Sequence, residues 1–162
     1  MNDIQTVTHF DLKAYLGVWY EIARLPMKHQ PEDSTDISAQ YSLLENGNVA
    51  VDNRCLDGNG QLDGAKGEAT VVDADAGKLE VSFLPEGLRW IPFTKGDYWV
   101  LKIDDNYQTA LVGEPNLKYL WLLHREVSLD ETIKQEYLNH AKSLGYELDD
   151  LIHTIHTGRP TA

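Results

Sequence analysis

Residues 37–56 read ISAQYSLLENGNVAVDNRCL, and this stretch decides the fold. In its first half Ile37, Ala39, Tyr41 and Leu43 alternate with Ser38, Gln40 and Ser42. In its second half Val49, Val51, Asn53 and Cys55 share one face, and Asp52 and Arg54 take the other. Successive side chains on a strand point to opposite faces, so each run offers one apolar face and one polar face. Between the runs stands Glu45-Asn46-Gly47-Asn48. Asn-Gly is the strongest two-residue hairpin signal, because both positions tolerate positive φ. The stretch is therefore a hairpin of two half-buried strands, 37–44 and 48–56.

The same pattern continues on both sides. A first strand spans 17–25. Strands at 65–72 and 78–84 are joined by an Asp- and Gly-containing turn. A tight hairpin through Asp105-Asn106 joins 97–104 to 107–113, and an eighth strand covers 118–125. Short alternating strands between turn signals indicate an antiparallel sandwich or barrel rather than βαβ units. Leu79, Val81 and Phe83 form the apolar face of the fifth strand. In the sixth, Trp99, Leu101 and Ile103 are expected inward, opposite Tyr98, Val100 and Lys102. The eighth strand is apolar on both faces, with Tyr119, Trp121, Leu123 and Arg125 on one and Leu120, Leu122 and His124 on the other. Its outer face needs a cover. A helix supplies one: Ser128 is a candidate N-cap with Glu131 three residues on, a capping box. Ile133, Tyr137, Ala141 and Leu144 make its apolar stripe, and Gly145 stops it. A turn at Phe10–Leu16 precedes the first strand, and a last short strand is expected near 151–155.

A chain of 162 residues suits one domain, here 1–162. Its net charge of −12 argues against nucleic acid, whose phosphates need clustered Lys and Arg, and against simple electrostatic docking to an anionic membrane. The single cysteine, Cys55, excludes an internal disulfide. The first residues carry neither a basic nor an apolar leader segment, and no run is long enough to span a membrane as a helix. These features suit a cytoplasmic protein or one whose leader has been removed.

The inward list mixes polar groups, Glu21, Tyr41, Asn53 and Tyr119, with apolar ones. Buried polar groups are costly without hydrogen bonds. A hollow barrel holding a ligand tolerates them better than a filled core, and eight antiparallel strands leave room for one small molecule. Cys55 on the inner face is either a small buried hydrophobe or a nucleophile, and Glu21 is either a water-bridged acid or a reactive one. Thiolate chemistry needs a base or positive field that no nearby residue supplies. His153 and His156, three apart on a strand, face opposite ways and do not chelate together; no metal site and no cofactor is expected. GxSxG and GxGxxG are absent.

Three stretches resemble the motifs of one family. Gly17-Val18-Trp19-Tyr20-Glu21-Ile22-Ala23-Arg24-Leu25-Pro26 resembles the first lipocalin motif. Asp104-Asp105-Asn106-Tyr107 resembles the second, without its Thr, and Tyr119–Arg125 resembles the third, which ends in Arg. The resemblance, strongest to bacterial lipocalins of the outer-membrane lipoprotein type and to apolipoprotein D, covers nearly the whole chain. It implies an all-β fold: an eight-stranded antiparallel up-and-down β-barrel with one C-terminal α-helix packed outside. It also implies structural roles for Gly17, Trp19, Asp105, Tyr107 and Arg125, with Arg125 stacked on Trp19 at the narrow end. The implied function is binding and transport of a small hydrophobic ligand, a fatty acid or lysophospholipid, rather than catalysis. The implied location is the outer membrane or periplasm.

The expected ligand contacts are Glu21, Ala39, Tyr41, Asn53, Cys55, Val81, Phe83, Trp90, Phe93, Trp99, Leu101, Tyr119 and Trp121, with the head group near Arg89 or Lys118. The connections 26–36, 57–64, 85–96 and 114–117 would ring the open end. The third carries Leu88, Trp90, Ile91 and Phe93, a concentration that suits ligand or transient membrane contact, or a homodimer. The competing readings are a lipid- or pigment-modifying enzyme using Cys55 or Glu21, and a tetrapyrrole binder.

Overall fold

The computed structural model describes residues 4–26, 33–83 and 95–161. A short helix α1 (Leu12–Tyr15) leads into β1 (Gly17–Arg24). The strands β2 (Thr35–Leu43), β3 (Val49–Leu56), β4 (Leu62–Asp73), β5 (Lys78–Phe83), β6 (Lys95–Ile103), β7 (Thr109–Gly113) and β8 (Leu120–His124) follow in order. The helix α2 (Glu131–Ser143) and a short β9 (Ile152–His153) complete the chain. Each strand pairs antiparallel with the next, β8 pairs with β1, and β1 pairs with β2, so the first eight strands close into an up-and-down barrel with α2 outside. Closure leaves the eight staves without a free edge. Among the described residues no helix is long and apolar enough to cross a membrane.

Two cores result. The inner one contains Trp19, Tyr41, Val51, Val81, Val100, Val112 and Leu123. The outer one, between barrel and helix, joins Ile22, Leu111, Leu120 and Leu122 to Tyr137, Leu138 and Ala141. The two-faced apolarity of β8 thus has the expected cause. The hairpin at 44–48 forms, but only Gly47 takes positive φ (+89°), while the Asn46 side chain accepts from the Asn48 N–H at 2.9 Å.

The helix start differs from expectation. Ser128 is exposed and lies outside the helix. The N-cap is Asp130, whose carboxylate accepts from the N–H groups of Thr132 (3.1 Å) and Ile133 (3.3 Å). Ile133 is also 39% exposed, and its expected place in the stripe goes to Leu138. Asp130→Ala should therefore cost about 0.5–2 kcal/mol in thermal or urea unfolding, whereas Ser128→Ala should be neutral.

β1 and β2 pair only from Gly17↔Tyr41 to Tyr20↔Ser38. Above this point both strands are irregular, and the C-terminal segment fills the seam. It pairs with β1 (Ala23↔His153, Arg24↔Ile152), and the Asp36 N–H donates to the Ile155 carbonyl at 2.8 Å. Asp36 adopts φ +54° in the irregular part of β2. Its carboxylate accepts from the Thr157 N–H and hydroxyl, both at 2.8 Å, and from the Gly158 N–H at 3.2 Å. Burial acts to raise the Asp36 pKa, but the hydrogen bonds from Thr35, Thr157 and Gly158 outweigh it and hold the pKa below the ordinary value. A depressed carboxylate stabilises the fold above the ordinary Asp range, and that stability is lost as pH falls through the folded value. The C-terminal segment should accordingly gain amide exchange on acidification before the rest of the barrel does. Asp36→Asn should show that faster exchange already at neutral pH.

Candidate functional site

The register defines two ends. Gly17, Leu43, Val49, Asp73, Lys78, Ile103, Thr109 and His124 sit at one end; Arg24, Thr35, Leu56, Leu62, Gly113 and Leu120 sit at the other. The first end is closed. Trp19 is fully buried there, its indole N–H donating to the Tyr15 carbonyl at 2.7 Å. The Arg125 guanidinium lies 3.8 Å from the Trp19 ring centroid, in the stacking expected. It also donates to the carbonyls of Tyr107 (3.0 Å), Val18 (2.8 Å), Ala14 (3.0 Å) and Tyr15 (3.3 Å), tying four segments together. Gly17 has φ +102°, a conformation that favours glycine, and a Cβ there would also press on Arg125 Nη1 at 3.3 Å.

The neighbouring β6–β7 turn is organised by Asp104, the first residue of the second motif, rather than by Asp105. The Asp104 carboxylate accepts from the N–H groups of Gln108 (2.7 Å) and Thr109 (2.8 Å). Asp105 is exposed. Tyr107 takes φ +55° and accepts the Asp11 N–H on its hydroxyl at 2.9 Å.

Above Trp19, three phenols converge on the barrel floor. Tyr15 comes from α1, Tyr41 from β2 and Tyr98 from β6. The Tyr15 and Tyr98 hydroxyls are 2.5 Å apart, and those of Tyr41 and Tyr98 are 2.9 Å apart. Tyr15 and Tyr41 stack at 5.7 Å, and Tyr98 stands edge-on to both. Burial pushes the Tyr41 hydroxyl up to about 12 and the other two well above the ordinary phenol value.

Toward the open end the interior becomes polar on one side. Glu21 lies opposite Leu123 and Arg24 opposite Trp121, both inner-core residues, so both charged side chains point into the barrel. Residues three apart on a regular strand face opposite ways. Here a bulge between Glu21 and Ala23 adds the extra residue that turns Arg24 inward. Arg24 Nη1 donates to Glu21 Oε2 at 2.9 Å, with Arg24 fully buried and Glu21 3% exposed. From the C-terminal segment, the Thr154 hydroxyl donates to the same carboxylate, and His156 Nε2 donates to the Glu21 carbonyl at 2.7 Å. Burial still pushes the Glu21 pKa up, against the lowering effects of Arg24, Thr154 and His156. Cys55 belongs to the same region. Burial first, then Asp63, push its thiol up to about 11, although a hydrogen bond to Ser34 acts the other way. A thiol so placed stays protonated and is a poor nucleophile.

The remaining expected contacts divide. Ala39, Tyr41 and Val81 belong to the inner core, and Trp121 packs against it. Asn53 lies between Ala39 and Ala65 in register, facing inward. Tyr119 stacks on Trp121 with centroids 6.4 Å apart. Phe83 is in register with Gly67 at the end of β5.

Trp99 and Leu101 are corrected. Both lie in the outer core under α2, and the Lys78 ammonium sits 4.3 Å from the Trp99 ring. Tyr98 and Val100 face inward instead, and a bulge between Val100 and Lys102 returns Ile103 to the inner side. Lys118 is exposed at the open end. Arg89, Trp90 and Phe93 lie outside the described residues. Among the described residues no cluster of His, Cys, Asp or Glu could hold a metal ion.

The family model of the lipocalin-like domain matches residues 10–156. The chain belongs to this family. Lipocalins bind small hydrophobic ligands and are in general binding and transport proteins. The lipocalin is 37% identical over 162 residues to temperature-induced lipocalin-1 of Arabidopsis thaliana, covering 98% of this chain and 86% of that one. It is 33% identical over 155 residues to the outer membrane lipoprotein Blc of Vibrio cholerae serotype O1, covering 94% and 86%. Mouse apolipoprotein D is 40% identical over 118 residues, or 72% of this chain and 57% of that one. Insecticyanin from the tobacco hornworm has the same fold, with a TM-score of 0.73 at 22% identity over 96% of this chain and 86% of that one.

Proposed function

We propose that this lipocalin binds and carries a single-chain lipid, a fatty acid or lysophospholipid, in the barrel interior. The observation that carries the reading is residual exposure inside a closed barrel: Asn53, Tyr98 and Trp121 face inward, yet none is fully buried. Asn53 lies between Ala39 and Ala65 in register, and Gly67, Ala69 and Ala110 are further small residues on the inner face. Eight strands enclose either a packed core or one small ligand, and small inner side chains favour the second. Burying a chain of roughly 16 carbons contributes about 12 kcal/mol, against an association cost of roughly 4–15 kcal/mol. At the low end of that cost the balance reaches about 8 kcal/mol, the reversible, micromolar-range binding a carrier needs. The protonated state of Cys55 and the ion pairing of Glu21 support binding over covalent chemistry at these positions.

Trp121 is the natural reporter. Titration with lysophosphatidylcholine or hexadecanoic acid should change tryptophan fluorescence saturably, and Trp121→Phe should remove most of the signal while leaving equilibrium-dialysis binding in place. A flat dialysis isotherm for both lipids would contradict the proposal.

A further inference from the structure

The tyrosine floor carries more than packing. Three hydroxyls have three O–H donors. Among the described residues their contacts are two, Tyr15 with Tyr98 and Tyr41 with Tyr98. Two protons serve these contacts, whichever way the hydroxyls rotate, and the third has no acceptor within the triad. Groups beneath cannot take it: the Tyr15 carbonyl receives the Trp19 N–H and an Arg125 N–H. The surroundings are apolar, with Val49, Val81, Val100, Val112 and Leu123 in the same core. Tyr98 is opposite Leu79, hence inward, and keeps part of its surface exposed, so the triad borders the space a ligand would occupy.

We infer that the triad is a polar subsite at the bottom of the barrel, which takes an uncharged oxygen acceptor, a carbonyl or hydroxyl, at the inner end of the ligand. The inference rests on the interior-binding reading above and refines it: the cargo is oxygenated at both ends rather than at the head alone. A plain methyl terminus would leave a buried O–H unsatisfied, which weakens binding by about tenfold. A carboxylate at this depth would be stripped of water beside three neutral phenols, with Arg125 on the far side of Trp19 and engaged with four carbonyls. The phenols themselves stay neutral, and so remain donors, across the physiological range.

The test compares dodecanoic and hexadecanoic acids with their ω-hydroxy counterparts, on the parent, on Tyr41→Phe and on Tyr15→Phe/Tyr41→Phe/Tyr98→Phe, by equilibrium dialysis with near-ultraviolet circular dichroism as the fold control. The ratio of methyl-ended to ω-hydroxy dissociation constants should fall by about tenfold from parent to triple variant for the chain that reaches the floor, with the methyl-ended acid bound as well or better. The single variant keeps the Tyr15–Tyr98 contact and one unpaired O–H, so its ratio should stay at the parent value. An unchanged ratio in the triple variant with both acids bound overturns the subsite and leaves interior binding standing. If neither acid binds the parent, interior binding fails and the subsite with it.

Discussion

Glu21→Ala will destabilise the protein by about 3–5 kcal/mol, because it removes the carboxylate that accepts from Arg24 Nη1 inside the barrel, where Arg24 is fully buried. Arg24 cannot escape by losing its proton, and it has no exposed surface through which water could replace the carboxylate. The loss extends to the C-terminal segment, since the same carboxylate accepts the Thr154 hydroxyl. At about 2–4 °C per kcal/mol for a chain of this size, the melting temperature should fall by roughly 10 °C.

The pair itself is another matter. Its desolvation opposes its attraction, as the raised Glu21 pKa reflects. Glu21→Leu/Arg24→Met should therefore recover most of the loss, and the difference between single and double variants measures the coupling. The pH dependence has the opposite sign to that of Asp36. A carboxyl raised in the fold makes the folded state bind its proton more tightly, so stability falls as pH rises from the ordinary Glu range through the raised value. The double variant should lose that slope. An Ala variant as stable as the parent would show that the bulge does not hold a buried charge pair.

Trp19→Ala should cost about 3–5 kcal/mol, for a different reason: it opens a cavity at the closed end. The indole is fully buried, caps the inner core, donates to the Tyr15 carbonyl and underlies Arg125. The guanidinium stack alone contributes roughly 0.5–2 kcal/mol. Arg125→Lys should show the geometric part separately, losing about 1–3 kcal/mol, because one ammonium cannot reach carbonyls spread from Ala14 to Tyr107 as a planar fork does. Both variants lie far from the open end. Trp19→Ala removes the ring that Tyr15 of the phenol floor packs on, so only Arg125→Lys should keep lipid affinity, measured on the folded fraction, within a few-fold of the parent. A large loss of affinity in Arg125→Lys with little loss of stability would make this end part of the entry route rather than the base.

The barrel, its strand order and the covering helix were legible because alternation and turn residues are local signals. The failures have physical causes. Both faces of β6 are apolar, since one lines the barrel and the other belongs to the outer core, and alternation cannot say which is which; Trp99, Leu101 and Ile103 read as the more apolar face against Tyr98, Val100 and Lys102, and so as the inner one. The bulge in β1 leaves no mark in Glu21-Ile22-Ala23-Arg24, so the sequence places Arg24 on the opposite face to Glu21 and hides the ion pair. Ser128 and Asp130 are both good N-caps two residues apart, and only the packing of Tyr137, Leu138 and Ala141 selects between them. Tyr41 was readable as inward, but its meeting with Tyr15 and Tyr98 depends on closure that sets β2 across the barrel from β6, four strands apart in the sheet order.

The central claim is that the barrel interior holds one small apolar molecule. Native mass spectrometry, on the protein as purified and after incubation with hexadecanoic acid or lysophosphatidylcholine, tests it most directly. The account predicts a single lipid adduct per chain that saturates at one. A spectrum that stays at the bare protein mass with both lipids, under conditions that preserve the fold, would contradict it.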